Sequence, residues 1–372
     1  MKNKVLFIIG QLNGGGAERV LIDILHNFDY SQHDVELCCI VKGGTLADEI
    51  PPQVRTFSVW DNYTLGYKIL YRLSNYIGLD APLRWKLRKA ISKKYDTVIS
   101  FLEGTPLKMH AILRPNALNI SWVHCDLYND PYEELQFRSK KEEVEAYKAM
   151  DKVVCISHEA KESFHLRFPK VSTPVKVIYN PIDKEKIIRM ASKEVVDYDN
   201  FTIVCVGRLC EQKRFDRVVR LAHQLKNNGY DDIRIRIIGD GGLKNDLKRQ
   251  AEKLDVSDMI EFAGFYRNPY PQIKAADMML LTSEAEGFSL VICEAMCLGV
   301  PVVSTKSGGP TEIIGYNSQY GILCDHDDAS IYSAVTKMID DTELRTHYSN
   351  MGLKRAETMN ATDTIRQLEK LM

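Results

Sequence analysis

Long apolar runs are absent from this sequence. No stretch approaches the ~18 apolar residues of a membrane-spanning helix, and the run at 5–9 is too short for the apolar centre of a secretory signal. A spanning segment is therefore not expected, and a cytoplasmic location is. Charge of one sign is also absent. Lys and Arg number 49 against 50 Asp and Glu, a net charge of -1, so no global basic field points to nucleic acid. Paired cysteines are missing as well. Nine are scattered along the chain and none forms a Cys-x2-Cys pair. An odd number without a signal points to reduced thiols, most of them in apolar runs where they pack.

What is present is a repeated alternation of strand and helix patterns over 372 residues, enough for two domains. Short β-branched runs at 5–9, 35–41, 54–59, 97–102, 119–123, 151–157 and 175–179 read as strands. The pattern restarts at 201–206 and continues at 233–238, 259–262, 277–281, 301–304 and 320–324. Charged or amphipathic segments between them, such as 132–149 and 215–227, read as helices, as does 344–372. This recurrence predicts the α/β class, with two doubly wound parallel sheets.

The most informative stretch is 282–314, TSEAEGFSLVICEAMCLGVPVVSTKSGGPTEII. Ser289 suits an N-cap, 290–298 a helix and Gly299 its stop. That helix is apolar on every side except at Glu294, and a helix of this kind is normally buried. A carboxylate there is costly unless something hydrogen-bonds to it, and the paired hydroxyls of a ribose would do so. Eight residues earlier, Glu286 lies in the loop feeding the helix, and the backbone N–H groups of Phe288, Ser289 and Leu290 point out of the helix start toward any anion or polar ligand.

The run from Glu286 to Glu294 resembles the Glu-x7-Glu signature of glycosyltransferase family 4. The resemblance implies a retaining, nucleotide-sugar-dependent transferase of GT-B fold, two Rossmann-like domains facing across a cleft. It places an acceptor-binding domain at 1–182, a donor-binding domain at 183–355, and a last helix, about 356–372, packed back on the first domain. Such enzymes usually need no metal, and none is expected here.

Other residues fit this reading. Arg208 and Lys213 stand five apart across a turn after a strand, where two cations can converge on a diphosphate; the resemblance gives them that role. Glycine loops follow strands at 14–16 and 239–242, a layout that lets backbone N–H groups approach phosphate. The spacing at 14–16 is not that of a dinucleotide site; the resemblance puts that loop at the interdomain cleft and the loop at 239–242 near the nucleotide, which makes Gly15, Gly16 and Gly241 donor-binding candidates. Tyr266 is a candidate to stack on the base, because the resemblance puts the base against its loop. His124 follows a strand at its C-terminal end, where ligands gather in parallel sheets. No second ligand at usable spacing supports a metal there; the resemblance places a His beside the reacting sugar. The Asp-x-Asp within 325–328 precedes a helix pattern and reads as an N-cap. Asn180-Pro181 stands where the family often has Asn-Gly.

Residues 67–95 carry eight cations against the single acid Asp80, interleaved with Tyr67, Tyr71, Tyr76 and Trp85. Basic helices with interfacial aromatics suit an anionic membrane surface, though a solvated basic face reads equally well. The expected activity is sugar transfer from a nucleotide-diphospho-sugar, the uridine type being the commonest in the family. The expected acceptor is a glycan or a polyprenyl-diphosphate-linked glycan in cell-surface polysaccharide assembly. A nucleotide-sugar epimerase and a non-catalytic sugar-nucleotide-binding subunit are alternatives on the same scaffold.

Overall fold

The computed structural model describes residues 2–128 and 136–372. The chain divides into two units, Met1–Pro181 with Ala361–Met372, and Ile182–Asn360. In the first, strands β1 (Asn3–Ile9), β2 (His33–Val41), β3 (Arg55–Trp60), β4 (Thr97–Ser100), β5 (Leu118–Val123), β6 (Lys152–Cys155) and β7 (Val175–Val177) form one sheet. Their order is β3-β2-β1-β4-β5-β6-β7, and every pairing is parallel. Parallel strands are covered on both faces, which is why β1 is a continuous apolar run rather than an alternating one. Val5 to Ile9 are each at most 1% exposed, and burying a side chain such as Phe7 contributes about 1.5–3 kcal/mol. The helix Ala361–Glu369 belongs to this unit: Thr364 Oγ1 donates to the Tyr179 carbonyl at 3.0 Å, and Glu369 accepts from the Asp29 N–H at 3.2 Å.

The second unit carries β8 (Phe201–Val206), β9 (Ile233–Ile238), β10 (Ile260–Gly264), β11 (Met278–Leu281), β12 (Val302–Thr305) and β13 (Ile322–Cys324). Their order is β10-β9-β8-β11-β12-β13, again parallel throughout. The helix Phe215–Asn227 buries Val218, Leu221, Ala222 and Leu225, spaced to form one stripe. That stripe shares a core with Ile331, Val335 and Met338 of the helix Asp328–Asp340.

Both sheets have a point where the strand order reverses: between β1 and β4 in the first, and between β8 and β11 in the second. The loops leaving neighbouring strands on opposite sides open a crevice there, where ligands of doubly wound folds sit.

Local boundaries depart from the sequence reading in several places; the strands expected at 97–102, 175–179 and 320–324, for example, are Thr97–Ser100, Val175–Val177 and Ile322–Cys324. The expected strand 151–157 ends at Cys155, because Ser157 caps the helix His158–Arg167 by accepting from the Ala160 N–H at 3.0 Å. The segment 344–372 is two helices, Thr342–Glu357 and Ala361–Glu369. Of the helix expected at 132–149, Lys140–Lys148 is helical, and residues 132–135 lie outside the described residues.

Candidate active site

In the second unit, the loops after β8 and β11 are laced together at the strand reversal. The Glu284 N–H donates to the Gln212 carbonyl at 2.8 Å, and Gln212 Nε2 to the Ala285 carbonyl at 2.9 Å. Thr282 Oγ1 reaches the carbonyls of Lys213 and Arg214, each at 3.1 Å. These bonds bring Lys213 Nζ onto Glu286 Oε1 in an ion pair, and Ser283 Oγ donates to the same oxygen at 2.7 Å. Glu286 is 7% exposed. Desolvation would disfavour a lone carboxylate at this depth; a cation and a hydroxyl offset the cost. Lys213 is thus already committed to a carboxylate, a pairing that the five-residue spacing of Arg208 and Lys213 does not reveal. Arg208 is exposed, and its side chain has no hydrogen-bond or ion-pair partner among the described residues.

Close backbone approaches hold the neighbouring loops. A Cβ on Gly239 would lie 1.9 Å from the Gly207 carbonyl oxygen, and one on Gly241 would lie 2.4 Å from that of Leu209. The Leu209 N–H donates to the Asp240 carbonyl at 3.0 Å, joining the loop after β9 to the loop after β8. Gly241 is therefore required by packing between loops, whatever it does toward a ligand. On the other side, a Cβ on Gly309 would meet Phe288 Cα at 2.6 Å, and the Gly309 N–H donates to the Glu286 carbonyl at 3.0 Å.

The helix expected at 290–298 is Leu290–Cys297, and Ser289 occupies its cap position with no side-chain bond to the helix. Phe288 and Ser289 are buried, and Leu290 is half-buried. Glu294 is half-buried rather than enclosed, and the Tyr270 hydroxyl donates to its Oε1 at 3.1 Å. Tyr266 is drawn into a cluster of its own: Arg236 Nη2 donates to its hydroxyl at 3.2 Å, and Arg236 also pairs with Glu261. Its neighbour Phe265 is the exposed ring of that loop. Asp327 caps the helix Asp328–Asp340 by accepting from the Ser330 N–H at 2.9 Å, as the spacing predicted.

A charged lattice outside the anticipated set supports these loops. Arg217, 5% exposed, donates to the Thr282 carbonyl at 2.9 Å and to Glu284 at 2.7 Å. Arg214, held at φ 51°, pairs with Glu284 and Asp216, and Arg220 joins Asp216 to Asp328. Burial works to raise the Asp216 carboxyl, but the hydrogen bonds and charges of Arg214 and Arg220 prevail and bring it down to about 2. The sequence signal for this lattice is weak: arginines at 214, 217 and 220 read as one polar helix edge, and the partners Glu284 and Asp328 lie 67 to 108 residues away.

In the first unit, His124 follows β5 and packs against Phe101 with ring centroids 4.6 Å apart and the rings tilted at 53°. Its Nε2 is buried and lacks a hydrogen-bond partner among the described residues. Burial lowers its basicity to a pKa of about 3, so the ring is neutral. Its backbone N–H donates to Glu103 Oε2 at 2.8 Å. Glu103, in the loop after β4, is 5% exposed, and burial raises its carboxyl above the usual range despite that bond. Sequence reading passed over Glu103, since one acid after a strand carries no pattern. Gly15 caps the helix Gly16–His26, and a Cβ on it would lie 2.2 Å from Glu18 Oε2. The chain's own carboxylate thus lies over the helix start that the glycine loop was expected to offer to phosphate.

Two doubly wound parallel sheets, one in each unit, are the architecture of the GT-B class. The family models agree: "Glycosyltransferase Family 4" matches residues 14–186 and "Glycosyl transferases group 1" matches residues 187–355. The chain belongs to this glycosyltransferase family. An uncharacterized glycosyltransferase of Methanocaldococcus jannaschii is 26% identical over 262 residues, 61% of this chain; the match spans 64% of that relative's length. The Escherichia coli UDP-Gal:alpha-D-GlcNAc-diphosphoundecaprenol alpha-1,3-galactosyltransferase is 26% identical over 96% of this chain and 92% of its own. In fold, Anabaena HepE, crystallised with UDP, is similar at a TM-score of 0.78 and 21% identity over 100% of this chain and 99% of its own.

Proposed function

We propose that this chain transfers a sugar, with retention at the anomeric carbon, from a uridine-diphospho-sugar to a hydroxyl of a lipid-linked glycan in cell-surface polysaccharide assembly. The observation that carries the proposal is the cluster at the β8/β11 reversal: the Lys213–Glu286 pair lies in the same loops as Arg208, which is exposed and unpaired and follows Gly207, where an added Cβ would lie 3.6 Å from Lys213 Cδ. The family membership and the name of the Escherichia coli relative support the donor and acceptor classes.

In this reading, Arg208 grips the diphosphate with its fork. Lys213 divides its charge between the diphosphate and Glu286. Cations so placed take up the negative charge that grows on the leaving group as the anomeric bond breaks. Glu294 accepts from the ribose hydroxyls, and Glu286 with the N–H groups of Phe288, Ser289 and Leu290 orients the sugar. The loop of Phe265 and Tyr266 receives the base, and Phe265 offers the exposed ring. His124, neutral and with Nε2 unpartnered, hydrogen-bonds to the sugar or the acceptor; the leaving phosphate oxygen takes the acceptor's proton. No metal is needed for these steps, because side chains supply the charge.

A panel of nucleotide sugars screened by thermal shift identifies the donor, since stabilisation follows occupancy. Glu286→Gln should then keep UDP binding and lose most transfer to a diphospholipid-linked saccharide. Full transfer by that variant would remove Glu286 from the mechanism. An epimerase would consume the donor without acceptor; a binding subunit would consume none.

A further inference from the structure

The helices between β3 and β4 form a surface that the transfer reaction does not use. Leu65–Arg72 is α-helical and runs straight into a wider π-type turn, Leu73–Ile77, which Gly78 ends at φ 74°. Tyr67, Leu70 and Tyr71 pack inward on the core, and Ser74 is fully buried. Continued α-helical spacing from Ser74 would bring Ile77 to the same side. The wider turn delays the phase, and Ile77 is left 69% exposed. Leu65, Ile69 and Tyr76 are exposed along the outer side of the same run, and Trp85 on the helix Ala81–Ala90 is 66% exposed.

Water is a poor solvent for so many large side chains in one short stretch. Cations surround them. Lys68 and Arg72 are exposed beside Ile69, Arg88 and Lys89 are exposed beside Trp85, and Lys89 Nζ lies 5.5 Å from the Trp85 ring centroid. Of the eight cations over 67–95, Lys93 is paired with Glu36 and Arg84 donates to the Ile112 carbonyl; the other six face the segment's one acid, Asp80, in a chain whose net charge is -1. Local charge of this kind selects an anionic partner, while the rings and aliphatic groups select an apolar one. A bilayer with acidic headgroups has both properties at the depth a side chain reaches. The surface begins at the C-terminal edge of the first sheet, where Tyr63 approaches Gln11 of the loop after β1 at 3.4 Å.

We propose that this surface docks on an anionic lipid bilayer, with Trp85, Tyr76 and Ile77 entering the headgroup layer and the flanking Lys and Arg resting on acidic lipid. The docking is independent of the transfer reaction, and its test separates the two. Trp60 and Trp122 are buried, so a change in tryptophan emission on adding vesicles reports Trp85. The whole protein is mixed with phosphatidylcholine vesicles and with vesicles containing phosphatidylglycerol. The expected result is a blue shift and co-flotation with the acidic vesicles alone, both weakening as salt is raised. Neutralising Lys68 and Lys89 to Gln should lower partitioning roughly fivefold for each charge. Trp85→Phe should abolish the shift and leave flotation in place. Transfer to a water-soluble acceptor should be unchanged in these variants. Flotation without a blue shift would show that another surface binds. Equal binding to neutral vesicles would show that charge plays no part. A shift caused by self-association without lipid would show that a second copy covers this face. Any of the three overturns the proposal.

Discussion

Arg208 and Lys213 differ in what they hold before any ligand arrives, and this separates their substitutions. Arg208 is exposed and unpaired, so Arg208→Ala should leave stability unchanged and weaken UDP binding by roughly tenfold or more, the worth of a charged hydrogen bond. Lys213 neutralises the buried Glu286. Lys213→Ala should cost on the order of 1–3 kcal/mol of stability in addition to nucleotide affinity, because it strands a carboxylate. Urea unfolding and calorimetry on both variants check this; equal stability loss in the two would refute the distinction. Of the residues singled out from sequence, Arg208, Lys213, Glu286 and Glu294 could be named because they fall in motifs that resemble a known family; that Lys213 pairs with Glu286 could not be read there. Ser283 and Glu103 were not legible, since each acts through a partner that only the folded loops supply.

Loops, rather than strands, carry the constraint at the scale of elements. Gly241 and Gly242 are neighbours in one loop, yet a Cβ on Gly241 would strike the Leu209 backbone while one on Gly242 would meet nothing within 4 Å. Gly241→Ala should destabilise the second unit by about 1–3 kcal/mol and weaken UDP binding through the displaced loop after β8. Gly242→Ala should do neither. Thermal unfolding of the pair, with and without UDP, decides it. Strand positions were readable from apolar runs because parallel strands are buried on both faces. Strand ends were less so: Ser157 looks like strand continuation until it is seen accepting from the Ala160 N–H. The Tyr266 hydroxyl was likewise claimed by Arg236 from a neighbouring strand, a contact that no local pattern encodes.

The whole molecule keeps ionisable groups in unusual states, and its stability should follow pH accordingly. Burial lowers His110 from 6.5 to about 4 and His124 from 6.5 to about 3. The unfolded chain binds a proton at each near pH 6.5 and the folded chain does not. Their contribution is therefore complete above that pH and declines as pH falls toward 4. Glu103 acts with the opposite sign: burial raises its carboxyl, so its contribution is lost as pH rises above the unfolded value of 4.5. Two histidines outweigh one acid, and these three groups together should make the protein less stable at about pH 5 than at about pH 7. Below about pH 4, Asp216, held at about 2, adds a further loss. Denaturant midpoints across this range test the sum, and an unchanged midpoint would contradict it.

The most direct measurement is a crystal structure of the chain with UDP. The account predicts the diphosphate at the β8/β11 reversal, within hydrogen-bond distance of Arg208 and Lys213, with the ribose hydroxyls on Glu294. A diphosphate bound elsewhere, with Arg208 still unpaired, would contradict it.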